Sequence, residues 1–182
     1  KKDLTPPGEK SGEIFGGGLT LGQDQLFVTL SYGFVLSLDP RTGEKKWSQR
    51  LSGAGNTVPV FDDGLVYLVS GDSKAWAISA NNGRIKWKID AIGNDTNLIS
   101  NNAPATSKKY AVFGFGNGEI YTTFKKGGYV LWSSSLSGRN DGRVISAIDD
   151  IVASPVIVGR NVFVADGSGK VVSLKVESGE RN

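Results

Sequence analysis

The chain of 182 residues contains no cysteine and no histidine. The first absence removes disulfides, thiolate nucleophiles and cysteine metal sites together. The second removes the commonest general base and metal ligand. No apolar run approaches about 18 residues, so nothing reads as a membrane-crossing helix, and no stretch reads as a signal peptide. Positive charge is missing in the clustered form that nucleic acid requires. The formal charge of +3 is spread over pairs, Lys1-Lys2, Lys45-Lys46, Lys108-Lys109 and Lys125-Lys126, rather than gathered on one face. Those pairs read as solvated surface.

What the chain has instead is glycine. Its 25 glycines lack the triplet period of collagen and so point to many tight turns, in a chain long enough to bury a real core. They also keep time. Trp47 and Trp87 stand 40 apart and Trp132 follows 45 later, each with a glycine four residues before it: Gly43, Gly83 and Gly128. Pro59 and Pro104 lie 28 residues ahead of their tryptophans, and Pro155 and Gly179 continue both series. The alignment places a fourth tryptophan at position 183, one beyond Asn182. Three whole repeats and a truncated fourth are therefore expected, at about 17–51, 56–91, 102–136 and 153–182. Inserts at 92–101 and 137–152 lengthen the period and read as loops on one rim.

Each repeat reads as four short strands. In the second, TVPVF, LVYLVS, KAWAIS and RIKWKI are separated by Asp63-Gly64, Gly71-Asp72-Ser73 and Asn82-Gly83. Asn82-Gly83 is a hairpin signal, and Thr42-Gly43, Gly127-Gly128 and Ser178-Gly179 hold the equivalent turn. No stretch carries a helical period. Four strands in about 40 residues describe a blade of a β-propeller. A two-sheet sandwich competes, but it would not repeat its punctuation. The expected fold is all-β, a partial propeller over 16–182, preceded by a flexible, polar lead-in at 1–15 that contains Pro6-Pro7.

A repeated indole can be a ligand platform or packing. A platform needs one special aromatic, whereas here the aromatic recurs in every repeat. The glycine supplies positive φ in the turn, and the tryptophan follows near the start of the outermost strand. One indole per blade at one radius reaches the seam with a neighbouring blade, where a backbone carbonyl can accept its N–H. Burying about 150–250 Å² of indole gives an upper bound of about 4–6 kcal/mol. Gly43, Trp47, Gly83, Trp87, Gly128 and Trp132 are thus assigned to structural docking. Trp76 stands where other repeats have Leu36, Tyr121 and Val172, an ordinary core position.

Other candidates are weaker. Asp39, Asp62, Asp63 and Asp72 fall at turns and strand ends and form no convergent oxygen cluster of the kind calcium prefers, so no metal and no cofactor is assigned. GFGNGE at 114–119 looks like a phosphate loop but lacks a following helix, and reads as a hairpin turn.

The run SLDPRTGEKKW at 37–47 resembles the repeat of PQQ-type β-propellers, in which tryptophan docking joins the blades. Some of those propellers bind pyrroloquinoline quinone and calcium and oxidise alcohols or sugars, and many alcohol dehydrogenases among them carry vicinal cysteines that this chain lacks. A closer resemblance spans nearly the whole chain. GGGLTLGQDQLFV at 16–28, NNAPATSKKYAVFGFGNGEI at 101–120 and DDIVASPVIVGRNVFVA at 149–165, with the two inserts, resemble the BamB lipoproteins.

That resemblance implies about four blades of eight, with a lipidated cysteine upstream. It implies a non-catalytic scaffold on the periplasmic face of the outer membrane. The scaffold binds the POTRA domains of BamA and helps deliver nascent outer-membrane proteins. The family's BamA contacts, carried over by position, fall on Thr96, Leu98 and Ile99 in the first insert and on Asp150 and Val152 in the second. Leu98 and Asp150 keep the family's residue types. Ile99 stands where arginine is common and Val152 where aspartate is common, and each departure removes a charge that would pair across an interface. Read without a partner, Leu98 and Ile99 are apolar loop residues tucked onto a blade, and Asp150 is a turn residue. A quinone- and calcium-dependent dehydrogenase domain is the alternative function. Half a ring also leaves two blade faces uncovered, so self-association or pairing with missing blades is expected.

Overall fold

The computed structural model describes residues 3–10, 17–91, 102–135, 151, 153–165, 167 and 169–182. Described strands fall into four antiparallel meanders in which every strand pairs with its sequence neighbour. The first sheet holds β1 (Gly17–Gly22), β2 (Gln25–Leu30), β3 (Phe34–Leu38) and β4 (Lys45–Arg50). The second holds β5 (Val60–Asp62), β6 (Leu65–Ser70), β7 (Lys74–Ser79) and β8 (Ile85–Asp90). The third holds β9 (Ala105–Thr106), β10 (Tyr110–Gly114), β11 (Glu119–Phe124) and β12 (Val130–Ser135). The fourth holds β13 (Val156–Val158), β14 (Asn161–Ala165) and β15 (Val171–Lys175), and a bridge from Leu174 to Arg181 marks the start of a fourth strand. These are the blades of the expected partial β-propeller.

Strand composition follows from position in the blade. A middle strand lies between two neighbouring blades and buries both faces, so β6 and β7 are buried along almost their whole length. Alternate residues then serve different seams. Val66 and Leu68 join Phe27 and Val35 of the first blade, while Tyr67 and Val69 join Ala111 and Phe113 of the third. The seam between the third and fourth blades is filled by Val112, Ile120, Val162, Val164 and Leu174. Outermost strands have solvent on one side, so β4 and β8 alternate exposed and half-buried residues. On the other face of the first blade, Val28, Leu36 and Leu38 pack with Leu4 from the N-terminal segment.

The turn from the third to the fourth strand is the same in all four blades. The N–H of Gly43, Gly83, Gly128 and Gly179 donates to the carbonyl of Asp39, Ser79, Phe124 and Lys175, at 2.8–2.9 Å. The closing glycine lies between φ +69° and +73° in each. Asn82, by contrast, is not in the left-handed region, so Asn82-Gly83 closes a longer loop than a two-residue hairpin turn. GFGNGE forms the turn between β10 and β11, with Gly118 at φ +80°.

Candidate functional site

The seams carry the clearest repeated geometry. Trp47 sends its indole across to the second blade, where Nε1 donates to the Ala80 carbonyl at 2.8 Å. Trp87 repeats this on the Lys125 carbonyl at 3.0 Å, and Trp132 on the Val176 carbonyl at 2.8 Å. Each acceptor stands three residues before the turn glycine of the following blade. The glycine itself forms the floor of the dock. A Cβ built on Gly83 would lie 2.6 Å from Trp47, one on Gly128 2.6 Å from Trp87, and one on Gly179 2.7 Å from Trp132. The glycine is therefore required twice over, for its backbone angle and for its missing side chain.

This arrangement holds each of the three indole N–H groups on the following blade. Trp87 lies against Gly128 and meets the rings of Tyr67 and Phe113 at 6.0 and 5.8 Å. Trp47 lies against Gly83 and meets Phe27 at 5.9 Å. Trp76 is buried in the seam between the first two blades and donates to the Ser70 hydroxyl at 2.8 Å.

Two polar clusters were not legible as sites. Lys125, expected on a solvated surface, is a correction: its side chain is only 5 % exposed and reaches Asp62 of the preceding blade at 2.8 Å. Its carbonyl holds Trp87 and also accepts from the Tyr67 hydroxyl at 3.4 Å. One residue thus clamps the second seam through both backbone and side chain. Burial, reinforced by the charges of Asp62 and Asp63, pushes the Tyr67 phenol far above its usual range. A signal did exist in the register. The equivalent positions Pro40, Ala80 and Val176 are uncharged, so the lysine is the odd member.

The second cluster surrounds Asp72. Its carboxylate accepts from Ser52 at 2.6 Å and also from Ser70 and Lys74. Lys74 faces Asp90 as well, at 3.7 Å. Burial raises the Asp72 carboxyl, but the bonds from Lys74, Ser52 and Ser70 outweigh it and hold the group below its usual value. The Lys74 ammonium is held above its usual value, chiefly by its bond to Asp72. Asp39 uses its carboxylate locally, accepting from the backbone of Arg41 and Thr42 at 2.9 and 3.0 Å, a turn role.

The rim contacts expected at Thr96, Leu98, Ile99, Asp150 and Val152 lie outside the described residues. The neighbouring framework is described. Asp90 and Ala91 close the second blade beside Lys74 and Ser73. Ile151 is buried between the third and fourth blades, and its carbonyl accepts from the Asn102 side chain. Among the described residues no group of three or more acidic side chains is gathered as a metal site.

The family model for the outer membrane protein assembly factor BamB matches residues 2–182. The chain belongs to the BamB family. The BamB of Yersinia pestis is 25% identical over 167 residues, covering 92% of this chain and 42% of that protein. The chain therefore spans about two fifths of this BamB relative's length. The crystal structure of BamB from Moraxella catarrhalis superposes with a TM-score of 0.77 at 18% identity, covering 91% of this chain and 50% of that one. The quinohemoprotein alcohol dehydrogenase of Comamonas testosteroni superposes at 0.74 with 15% identity, over 91% of this chain and 34% of that one. At these identities the two structures share the propeller fold with this chain, and the BamB assignment rests on the family match.

Proposed function

We propose that this chain is part of a non-catalytic scaffold for outer-membrane β-barrel assembly. It works on the periplasmic face of the outer membrane, tethered there by a lipid anchor carried outside these residues. Its partners are the POTRA domains of BamA and nascent outer-membrane proteins. The observation that carries this reading is the family match along residues 2–182, to a family described as assembly factors. The seams support it, because the repeated aromatic is consumed in joining blades and leaves the rim loops to carry recognition. Thr96, Leu98, Ile99, Asp150 and Val152 are the proposed contact residues. Asp150 supplies the negative charge and Leu98 with Ile99 the apolar anchor.

A quinone-dependent dehydrogenase is the second reading, raised by the likeness of the run at 37–47 to the PQQ-type repeat. The two separate in one titration. The scaffold reading expects no saturable binding of pyrroloquinoline quinone with calcium and no alcohol oxidation. Saturable binding accompanied by oxidation would overturn it.

A further inference from the structure

In an antiparallel meander the turns alternate between two rims. The turns β1–β2 and β3–β4, with their counterparts in the other blades, share one rim, opposite the ends of β8 and β12 after which the two inserts follow. Charge on this rim differs from blade to blade. The first blade presents Asp24 in the turn after β1, and the second presents Asp62 and Asp63 where β5 turns into β6. The third presents Lys108 and Lys109 at the same place and Lys126 in the turn after β11, and the fourth presents Arg160. The Lys125 N–H donates to the Lys109 carbonyl at 2.9 Å, which draws the two turns of the third blade together. A cleft of about 290 Å³, lined among others by Lys108, Lys109, Tyr110, Arg160 and Glu177, continues the group onto the fourth blade. Glu177 is the acid of this cleft and accepts from the Tyr110 hydroxyl at 3.4 Å. The four cations are exposed, and among the described residues no carboxylate lies within ion-pairing distance of them. Aromatic rings flank them at the same end of the third blade. Tyr129 is 76 % exposed and Phe124 42 %, with Phe124 backed by the Tyr110 ring at 5.5 Å.

We infer that this rim of the third and fourth blades docks on an anionic phospholipid surface. Lys108, Lys109, Lys126 and Arg160 meet headgroup phosphates, while Phe124 and Tyr129 enter the interfacial layer. Four cations without local partners keep their full attraction for an anionic surface, and each contributes about fivefold to membrane affinity. The rings select the bilayer over an acidic polypeptide. A chain of carboxylates complements the cations alone, whereas the bilayer interface also receives exposed aromatic side chains beside lysines. The second blade takes no part, because Asp62 and Asp63 would be repelled by the same surface. The inference rests on the outer-membrane reading for its biological setting. It adds an orientation to that reading, with one rim on the lipid and the ends of β8 and β12 turned away from it.

The chain has no cysteine to acylate, so its binding to vesicles reports the rim and not an anchor. Vesicles of phosphatidylcholine with about one third phosphatidylglycerol should sediment the protein saturably, and pure phosphatidylcholine should bind it about tenfold more weakly or less. The triple variant Lys108→Ser, Lys109→Ser, Lys126→Ser should lose about tenfold or more in affinity for the anionic vesicles. A control, Lys45→Ser, Lys86→Ser, Lys88→Ser, removes the same charge from β4 and β8 and should bind as the unaltered protein does. All six lysines are exposed, so circular dichroism and the urea midpoint should stay unchanged in both variants. Glycerol phosphate at about 1 mM should not displace the vesicles, and a polyglutamate peptide should bind about tenfold more weakly than they do. No binding to anionic vesicles, equal losses in the two triple variants, displacement by glycerol phosphate, or tighter binding of polyglutamate overturns the inference. Vesicle binding reports the rim alone, whereas titration with POTRA domains reports the scaffold reading, so either can fail without the other.

Discussion

The indole of Trp47 lies so close to Gly83 that a Cβ on the glycine would meet its Cε3 atom at 2.6 Å. The contact joins two blades, and it makes a specific prediction. Gly64 has nearly the same angle, φ +75°, yet a Cβ there meets nothing within 4 Å. Gly64→Ala should therefore cost only the backbone strain, about 1 kcal/mol. Gly83→Ala adds overpacking against the ring and should cost about 2–5 kcal/mol. Urea unfolding of the two variants measures the difference. Equal losses would mean that the glycine serves the turn alone.

The indole N–H can be separated from the indole bulk. Trp87→Phe keeps an aromatic ring in the seam but leaves the Lys125 carbonyl without this donor, at an expected cost of about 1–3 kcal/mol. Trp87→Ala also opens a cavity beside Tyr67 and Phe113, and should cost about 3–5 kcal/mol. Equilibrium unfolding of both variants tests the order.

Lys125 and Asp62 should be energetically coupled across the second seam. Their 2.8 Å pair has one partner almost fully buried, so removing either leaves a poorly solvated charge. A double-mutant cycle with Lys125→Met and Asp62→Asn should return a coupling of about 1–3 kcal/mol. A coupling near zero would return Lys125 to the solvated reading.

The Asp72 cluster gives the stability a defined pH dependence. Its carboxyl titrates lower when folded, so its stabilisation is fully present above the ordinary value of 3.8 and is lost as pH falls through the depressed folded value. Asp72→Asn should be less stable at neutral pH, and the deficit should shrink below about pH 4. Lys74 behaves with the opposite sign. Its stabilisation holds below the ordinary 10.5 and is lost as pH rises through the elevated folded value. Thermal midpoints from acid to alkaline pH, with the variant alongside, check both limbs.

Much of this architecture is legible because strands and turns are local. A turn glycine and a fixed offset to tryptophan repeat with the blade, so period, strand order and the structural assignment of the indoles can be read along the chain. The partner of each indole cannot. Trp47 is spaced from Gly43 in sequence but docks on Gly83 and Ala80, the latter 33 residues on, in the following blade. The acceptor is a backbone carbonyl, which leaves no residue signature. Lys125 was hidden for a related reason: a lysine beside a lysine looks solvated until an acidic residue from another blade closes on it. Asn82-Gly83 shows the opposite failure, a familiar local pair serving in a longer loop. Thr96, Leu98, Ile99, Asp150 and Val152 come from resemblance alone, since a partner contact imposes no periodicity.

The scaffold reading is tested most directly by calorimetric titration of the protein with the POTRA domains of BamA. The account predicts saturable binding that weakens about tenfold or more when Asp150→Lys reverses the rim charge, while Trp132→Phe, altered only in a seam, binds as before. Absence of POTRA binding by the folded, unaltered protein would contradict it.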